Sequence, residues 1–468
     1  MKIAHVGSGI IVLASAIIML AKPFSANLNE TAHIMLGGIL ITLCIWIFRP
    51  FNLPYSVGGL FLAFFSLAIG LNASVVFSGF SQSAIWTLIP ALFFGYTLQK
   101  TGLGKRIAFG IVKLFKPSYP SLVFAWVLIG IVLSFLTPSI TVRVAIVIPI
   151  AIHCCELCKI KKGSMGNSLI ILTAFAMALI PGSGWMSGLL AGPIIQGMYD
   201  AIPELEGLVT FNSWFSILFL PMMIITILMA VGGLIVLKPK EPISKEVVNA
   251  VKEQTIPKIN WQEGMSAIIL SVVFLMFLTN SLHGLPDVAV CLAAVIALFL
   301  FGILDTKDFN AGVNWDLVIF IGMAISLGTI FTETGISQWL AEIVVPALAP
   351  IAGNPWIFMF SVMIFMFLWR FFDVALFIPT IAVMVPILPD IYVAYNINPL
   401  VWIALFVMAS NAFFMTYQNI WAMMSRSIVG EMSWDNKHLS IYGVLYFLAC
   451  LLSLTVVIPM WINAGLFG

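Results

Sequence analysis

The stretch PSYPSLVFAWVLIGIVLSFLTPSITVRVAIVIPIAIHCCELC, residues 117–158, is fenced by basic residues on both sides. Lys100, Lys105, Arg106, Lys113 and Lys116 precede it, and Lys159, Lys161 and Lys162 follow. Basic residues in short connections mark the cytoplasmic side of a membrane protein. Both ends of the stretch then lie on one side, and it crosses an even number of times. Its apolar limbs, near 121–136 and 142–152, are about 16 and 11 residues long. Neither comfortably covers a hydrocarbon core of ~30 Å, which takes about 20 helical residues. A re-entrant hairpin, entered and left from the cytoplasm, satisfies both length and parity. Its tip has to be enclosed by protein or line a water-filled cavity, because lipid satisfies no backbone N–H or C=O.

The whole chain supports a membrane setting. Of its 468 residues 62% are hydrophobic and 9% charged, with mean hydropathy +1.12. Soluble domains carry about 25% charged residues, so a cytosolic enzyme, a disulfide scaffold and a disordered chain are excluded. The net charge of +2 offers nothing to nucleic acid. The run His5 to Ala21 follows Lys2 but lacks an A-x-A-like cleavage site, so an uncleaved first helix is expected. His153 and Cys154, Cys155 and Cys158 in HCCELC lack a second ligand cluster, which argues against a metal site.

Walking outward from the five lysines of 238–258 fixes the remaining orientation. Residues 332–354 and 390–399 hold Glu333, Glu342 and Asp390 and no Lys or Arg, so both read as outside. The segment between them, about 355–389, is then a second hairpin entering from the opposite face. Of 21 Lys plus Arg, 18 fall inside and one, Lys22, outside; Arg143 and Arg370 lie within the hairpins. The N-terminus is placed in the cytoplasm and the C-terminus outside, in the cell's inner (plasma) membrane.

Local sequence repeats between the halves. Lys100-Thr101-Gly102-Leu103 matches Glu333-Thr334-Gly335-Ile336, each Gly suited to a left-handed helix cap. Pro120 and Pro355 suit the first turn of a limb. VRVAIVIPI (142–150) aligns with PTIAVMVPI (379–387), pairing Pro149 with Pro386. Each hairpin precedes an interrupted helix: Pro181 to Gly184 breaks 168–199, and Thr416 to Asn419 interrupts 400–428. Both Pro149 to Gly182 and Pro386 to Asn419 span 33 residues. Inverted repeats with broken helices are the mark of secondary transporters. The expected fold is an all-α polytopic membrane protein, an inverted-repeat transporter of about 11 transmembrane helices plus two re-entrant hairpins.

In their order and spacing these residues, with Ala32-His33, Trp46, Pro54, Trp261, His283 to Pro286 and Gly302 to Asp305, resemble the divalent anion:sodium symporter family. These are the INDY-like dicarboxylate transporters. The resemblance implies a homodimer, a fixed scaffold and a moving transport domain in an elevator cycle, and di- or tricarboxylate or sulfate as cargo, usually with sodium. The expected division is scaffold helices 1–84, transport half 85–211, scaffold helices 212–314 with a cytoplasmic loop at 238–262, transport half 315–437, and a C-terminal helix 438–468. The hairpins occupy about 117–158 and 355–389 within the two transport halves.

The family's Ser-Asn-Thr hairpin tips become Ser139-Ile140-Thr141 and Leu376-Phe377-Ile378 here. The family's Trp-x-x-Glu reads Trp46 to Arg49. These departures argue against two sodium sites of the usual kind. Arg143 and, in WRFFDVAL, Arg370 and Asp373 stand beside the tips instead. An ionisable residue at mid-membrane costs ~2.5–3.5 kcal/mol on insertion scales and is a functional candidate. A guanidinium can supply the positive charge that sodium supplies in relatives and can grip a carboxylate with two hydrogen bonds.

Candidate substrate-binding residues are Ser139, Thr141, Arg143, Ser183, Ser187, Arg370, Thr416, Gln418 and Asn419. Candidates for a coupling Na⁺ or H⁺ are Ser139, Gly182, Asp373 and Thr380. Structural alternatives stand beside these: Asp373, Ser139 and Thr141 as helix caps, Arg370 paired with Asp373, Arg143 snorkelling to the cytoplasmic face. The expected function is secondary transport of a small dicarboxylate-like anion, with no covalent chemistry and no cofactor. The alternatives are a sodium-independent or proton-coupled exchanger or exporter of a sulfonate, sulfate or tricarboxylate, and, further off, a channel or a membrane-embedded enzyme.

Overall fold

Helix after helix in this chain is apolar over its full length, and among the described residues nine are long and apolar enough to cross a bilayer. Six shorter apolar helices accompany them. The computed structural model describes residues 2–116, 118–240, 243, 258–373, 377–430 and 434–467. Most of the expected cytoplasmic loop 238–262, and residues 374–376 with Leu376 of the expected second tip, lie outside the described residues. The chain is a polytopic all-α membrane protein.

The first hairpin is Tyr119–Leu136 followed by Ile140–Leu157. Ser118 caps the first limb and Ser139 the second, each accepting a backbone N–H at 3.4 Å. Each limb has 18 residues, about 27 Å at 1.5 Å per residue, longer than the sequence expected. Helix continues through Arg143 and the cysteine run because both stay buried in protein. The second hairpin is Pro355–Trp369 and Ile378–Met384, prolonged through a tight turn at Val385–Ile387 to Leu388–Tyr395. Asn354 caps its first limb, accepting the N–H of Trp356 at 2.9 Å and of Ile357 at 3.2 Å.

Both interrupted helices are present. The first consists of Met165–Leu179 and Ala191–Asp200, the second of Leu400–Ser410 and Ile420–Val429. Over Met165–Gly184, 94% of the window is buried, which is what an interrupted backbone in a bilayer requires. The equal 33-residue spacings do not mark equivalent positions. Gly182 stands near the start of the first break, whereas Asn419 is the last residue of the second. The second limb of the second hairpin narrows to a single 3-10 turn at Val385–Ile387, around Pro386.

Gly102 (φ 79°) and Gly335 (φ 76°) are left-handed caps, as expected. Helices Leu103–Leu114 and Ile336–Ala352 leave from them. Arg106 ties the first of these to Glu263 at 2.8 Å, and Asn27 reaches Glu342 of the second at 2.9 Å. Helix Phe211–Val236, assigned from sequence to the scaffold, packs most extensively along Asn436–Asn463 and against the first break. The Tyr442 hydroxyl donates to Met229 O at 3.2 Å across that contact. Both of these helices, like Tyr55–Ala68, Trp261–Leu278 and Asp287–Leu300, leave large apolar side chains exposed, Ile235, Leu452, Phe64, Leu275 and Leu300 among them, a surface suited to lipid.

Candidate functional site

Breaking a helix frees carbonyls, and in a bilayer each needs a donor. In the first break Arg143 supplies two of them, and it reaches a third carbonyl at the hairpin tip. Its Nε donates to Ala178 O at 2.8 Å, and its Nη1 donates to Gly188 O at 2.7 Å and to Thr137 O at 2.9 Å. One guanidinium thus joins the hairpin tip to both sides of the break. Gly182 lies against it: a Cβ there would stand 2.8 Å from Arg143 Nη1 and 2.7 Å from Gly188 O. The indole of Trp214 donates to Ser183 O and that of Trp185 to Ser134 O, both at 3.2 Å.

The second half repeats this with a residue from the other limb. Arg370, at the end of the first limb, donates from Nη2 to Gln418 O at 2.6 Å and to Ser410 O at 3.4 Å. Its Nη1 donates to the carbonyl of Asp373, at the hairpin's turn. Its guanidinium also stands 5.9 Å from the Phe377 ring centre. Both arginines are fully buried. Arg143 therefore does not snorkel, and Arg370 meets Asp373 through the backbone oxygen. The Asp373 carboxylate accepts the N–H of Thr380 at 3.2 Å and the Thr380 hydroxyl, so it caps the second limb.

The two breaks touch. Asn411 Nδ2 donates to Ser183 Oγ at 2.9 Å, and the Trp421 indole donates to Thr141 Oγ1 at 3.1 Å. Beside these contacts lies a cavity of about 140 Å³. From the hairpins and broken helices it is lined by Ile140 and Thr141 of the first tip, Ile378 of the second, Leu189 to Ala191 after the first break, and Ser410 and Trp421 around the second. Tyr55, Asn314, Asp316 and Leu317 close it from the opposite wall. All four stand at the starts of helices that leave the lysine-rich end.

Among the expected site residues, Thr141 lines this cavity, while Arg143 and Arg370 hold its walls from behind. Ser139 is a buried cap, and Ser183 is bound by Asn411. Ser187 faces a second cavity of about 30 Å³ on the other side of the first tip, with Phe135, Pro138 and Met186. Thr416 is half-buried in the turn Thr416–Gln418. Asn419 caps the following segment, accepting from Trp421 N at 3.0 Å and Ala422 N at 3.2 Å. Gln418 Oε1 accepts Met415 N at 2.8 Å. Sequence reasoning missed Ser410, Asn411, Tyr55, Asn314 and Asp316. Ser410-Asn411 was a legible polar pair inside an apolar run; Asn314 and Asp316 read only as a helix start.

Four buried donors at these breaks have no partner among the described residues: Arg143 Nη2, Ser187 Oγ, Arg370 Nε and Gln418 Nε2. Buried donors left unpaired are costly. None of these four residues lines the cavity of about 140 Å³, and Ser187 lines the smaller one.

Comparison with known proteins places this geometry. The profile described as "Sodium:sulfate symporter transmembrane region" matches residues 4–466. The inner membrane protein YbhI of Escherichia coli (strain K12) is 25% identical over 86% of each chain. Dicarboxylate transporter 1, chloroplastic, of Spinacia oleracea is 24% identical over 64% of this chain and 53% of its own, so the match spans about half that transporter's length. The citrate/succinate antiporter of Escherichia coli (strain K12) is 23% identical over 56% of this chain and 55% of its own. In fold the chain is similar to the YdaH transporter of Alcanivorax borkumensis, with TM-score 0.56 and 16% identity over 85% of this chain and 89% of that one.

Proposed function

Since the chain belongs to the divalent anion:sodium symporter family, and is a multi-pass membrane transporter rather than an enzyme, we propose that it carries small di- or tricarboxylates without a sodium requirement. The observation that carries this reading is the pair of buried guanidiniums bound to the carbonyls of the two helix breaks. A sodium ion held at such a tip needs those backbone oxygens as ligands. Here Arg143 and Arg370 take them as hydrogen-bond acceptors and bring a fixed positive charge of the same sign. The guanidiniums stand behind the hairpin-side wall and attract an anion by charge rather than by direct contact. The cavity holding Thr141 and Trp421 is where that anion sits.

Movement follows the elevator scheme that the family resemblance implies. The two hairpins, the two broken helices and helices Phe211–Val236 and Asn436–Asn463 move as one body. They slide against a scaffold built on helices such as Tyr55–Ala68 and Asp287–Leu300, through which two copies pair. With the lysine-rich end in the cytoplasm, the cavity as described faces the cytoplasm. The names of the relatives, a citrate/succinate antiporter and a dicarboxylate transporter among them, support a carboxylate cargo and make exchange a natural mode.

The test is counterflow in proteoliposomes with labelled succinate, malate, citrate and sulfate, with sodium or with choline. Uptake of at least one carboxylate at equal rates in sodium and choline is expected. Strict sodium dependence would overturn the fixed-charge reading, and transport of sulfate alone would overturn the cargo.

A further inference from the structure

One wall of the anion cavity carries a negative charge. Asp316 stands in the first turn of helix Trp315–Thr334 and lines the cavity opposite the hairpin tips. Its Oδ1 accepts the Ser56 N–H at 2.7 Å. No second hydrogen bond to its carboxylate is found among the described residues. Around it the wall is neutral: the Tyr55 ring, Asn314 and Leu317. One cation, Arg49, stands behind this wall on the Tyr55 ring and does not line the cavity. It lies 4.7 Å from the centre of the Tyr55 ring and donates to Leu53 O at 3.1 Å.

We infer that Asp316 is a charge filter, a specificity-determining residue that favours dianionic over trianionic cargo. The inference rests on the anion site proposed above and names its preferred charge. A cavity of this size keeps every bound anion within roughly 6 Å of its wall. At that separation, with an effective dielectric constant of ~20–40, each further unit of negative charge lowers affinity about ten- to a hundredfold. The guanidiniums attract every anion from the hairpin side; Asp316 makes that attraction fall short for the more highly charged one. Its position matters too. Asp316 is not on a hairpin or a broken helix, so it acts where the cavity meets the opposite wall.

The experiment measures binding of succinate and of citrate at pH 7.5 to the full chain in nanodiscs, for the wild type, Asp316→Asn and Asp316→Glu. Asn keeps an oxygen for the Ser56 N–H and removes the charge. The expected result is a shift of the citrate-to-succinate affinity ratio by about tenfold or more toward citrate in Asp316→Asn, with Asp316→Glu staying near the wild type. A purely structural role would change both affinities by the same factor, so an unchanged ratio would overturn the inference. If the wild type binds neither anion, the proposed anion site itself fails.

Discussion

At the residue scale, Arg143 is the side chain on which the first half depends. Read from sequence alone, its removal would abolish binding and spare the fold. Its three carbonyl partners revise that expectation. In Arg143→Ala, the oxygens of Ala178, Gly188 and Thr137 lose their donor in a dry interior, each at a cost of about 1–3 kcal/mol. The expected outcome is a variant that elutes as aggregate and melts well below the wild type. A monodisperse Arg143→Ala protein of unchanged melting temperature that fails to bind anions would instead make Arg143 a direct ligand. Asp373 is similar in kind. Its carboxylate is spent on Thr380, so its visible task is to hold the second limb.

At the scale of elements, the two broken helices are solved by different chemistry. The first break uses a glycine-rich turn, PGSG at Pro181–Gly184, packed close against the guanidinium. The second has no glycine and relies on side-chain amides: Gln418 caps Met415 N, and Asn419 starts the next segment. Asn419→Ala removes both bonds of that cap, expected to cost about 0.5–2 kcal/mol. It also frees Trp421, which donates to Thr141 at the cavity. The expected readout is a raised KM for carboxylate uptake with a modest loss of stability, and recovery in Asn419→Asp. Equal kinetics in Asn419→Ala and the wild type would show that the cap does not shape the site.

At the scale of the whole molecule, the short helix Thr306–Ala311 braces the lysine-rich end against helix Ser83–Thr101. Burial opposes ionisation of Asp308. Hydrogen bonds from Lys100, from the Asp305 N–H at 2.7 Å and from the Tyr96 hydroxyl at 2.8 Å outweigh it and hold the carboxyl below its usual range. A depressed folded value means the stabilisation is complete above the ordinary carboxylate pKa of about 3.9. It fades as pH falls through the lower folded value. Asp308→Asn is therefore expected to melt below the wild type at pH 7, with the gap closing in acid below about pH 4. A gap that stays constant with pH would remove the ion pair from the brace.

Periodicity, charge placement and proline spacing carried the architecture. The caps at Gly102 and Gly335 and the breaks near Gly182 and Gln418 are local or one-dimensional properties, readable without a partner segment. Family membership lay in the same order of residues. What a side chain touches across a break is not one-dimensional. That Arg143 and Arg370 sit on opposite limbs yet grip equivalent carbonyls emerged only once the hairpins lay in the breaks. That Ser410 and Asp316 line one cavity, and that Asn411 binds Ser183, required helices remote in sequence to meet. Hydrogen bonds and Coulomb forces act through a few ångströms of space, and only the folded chain sets those distances.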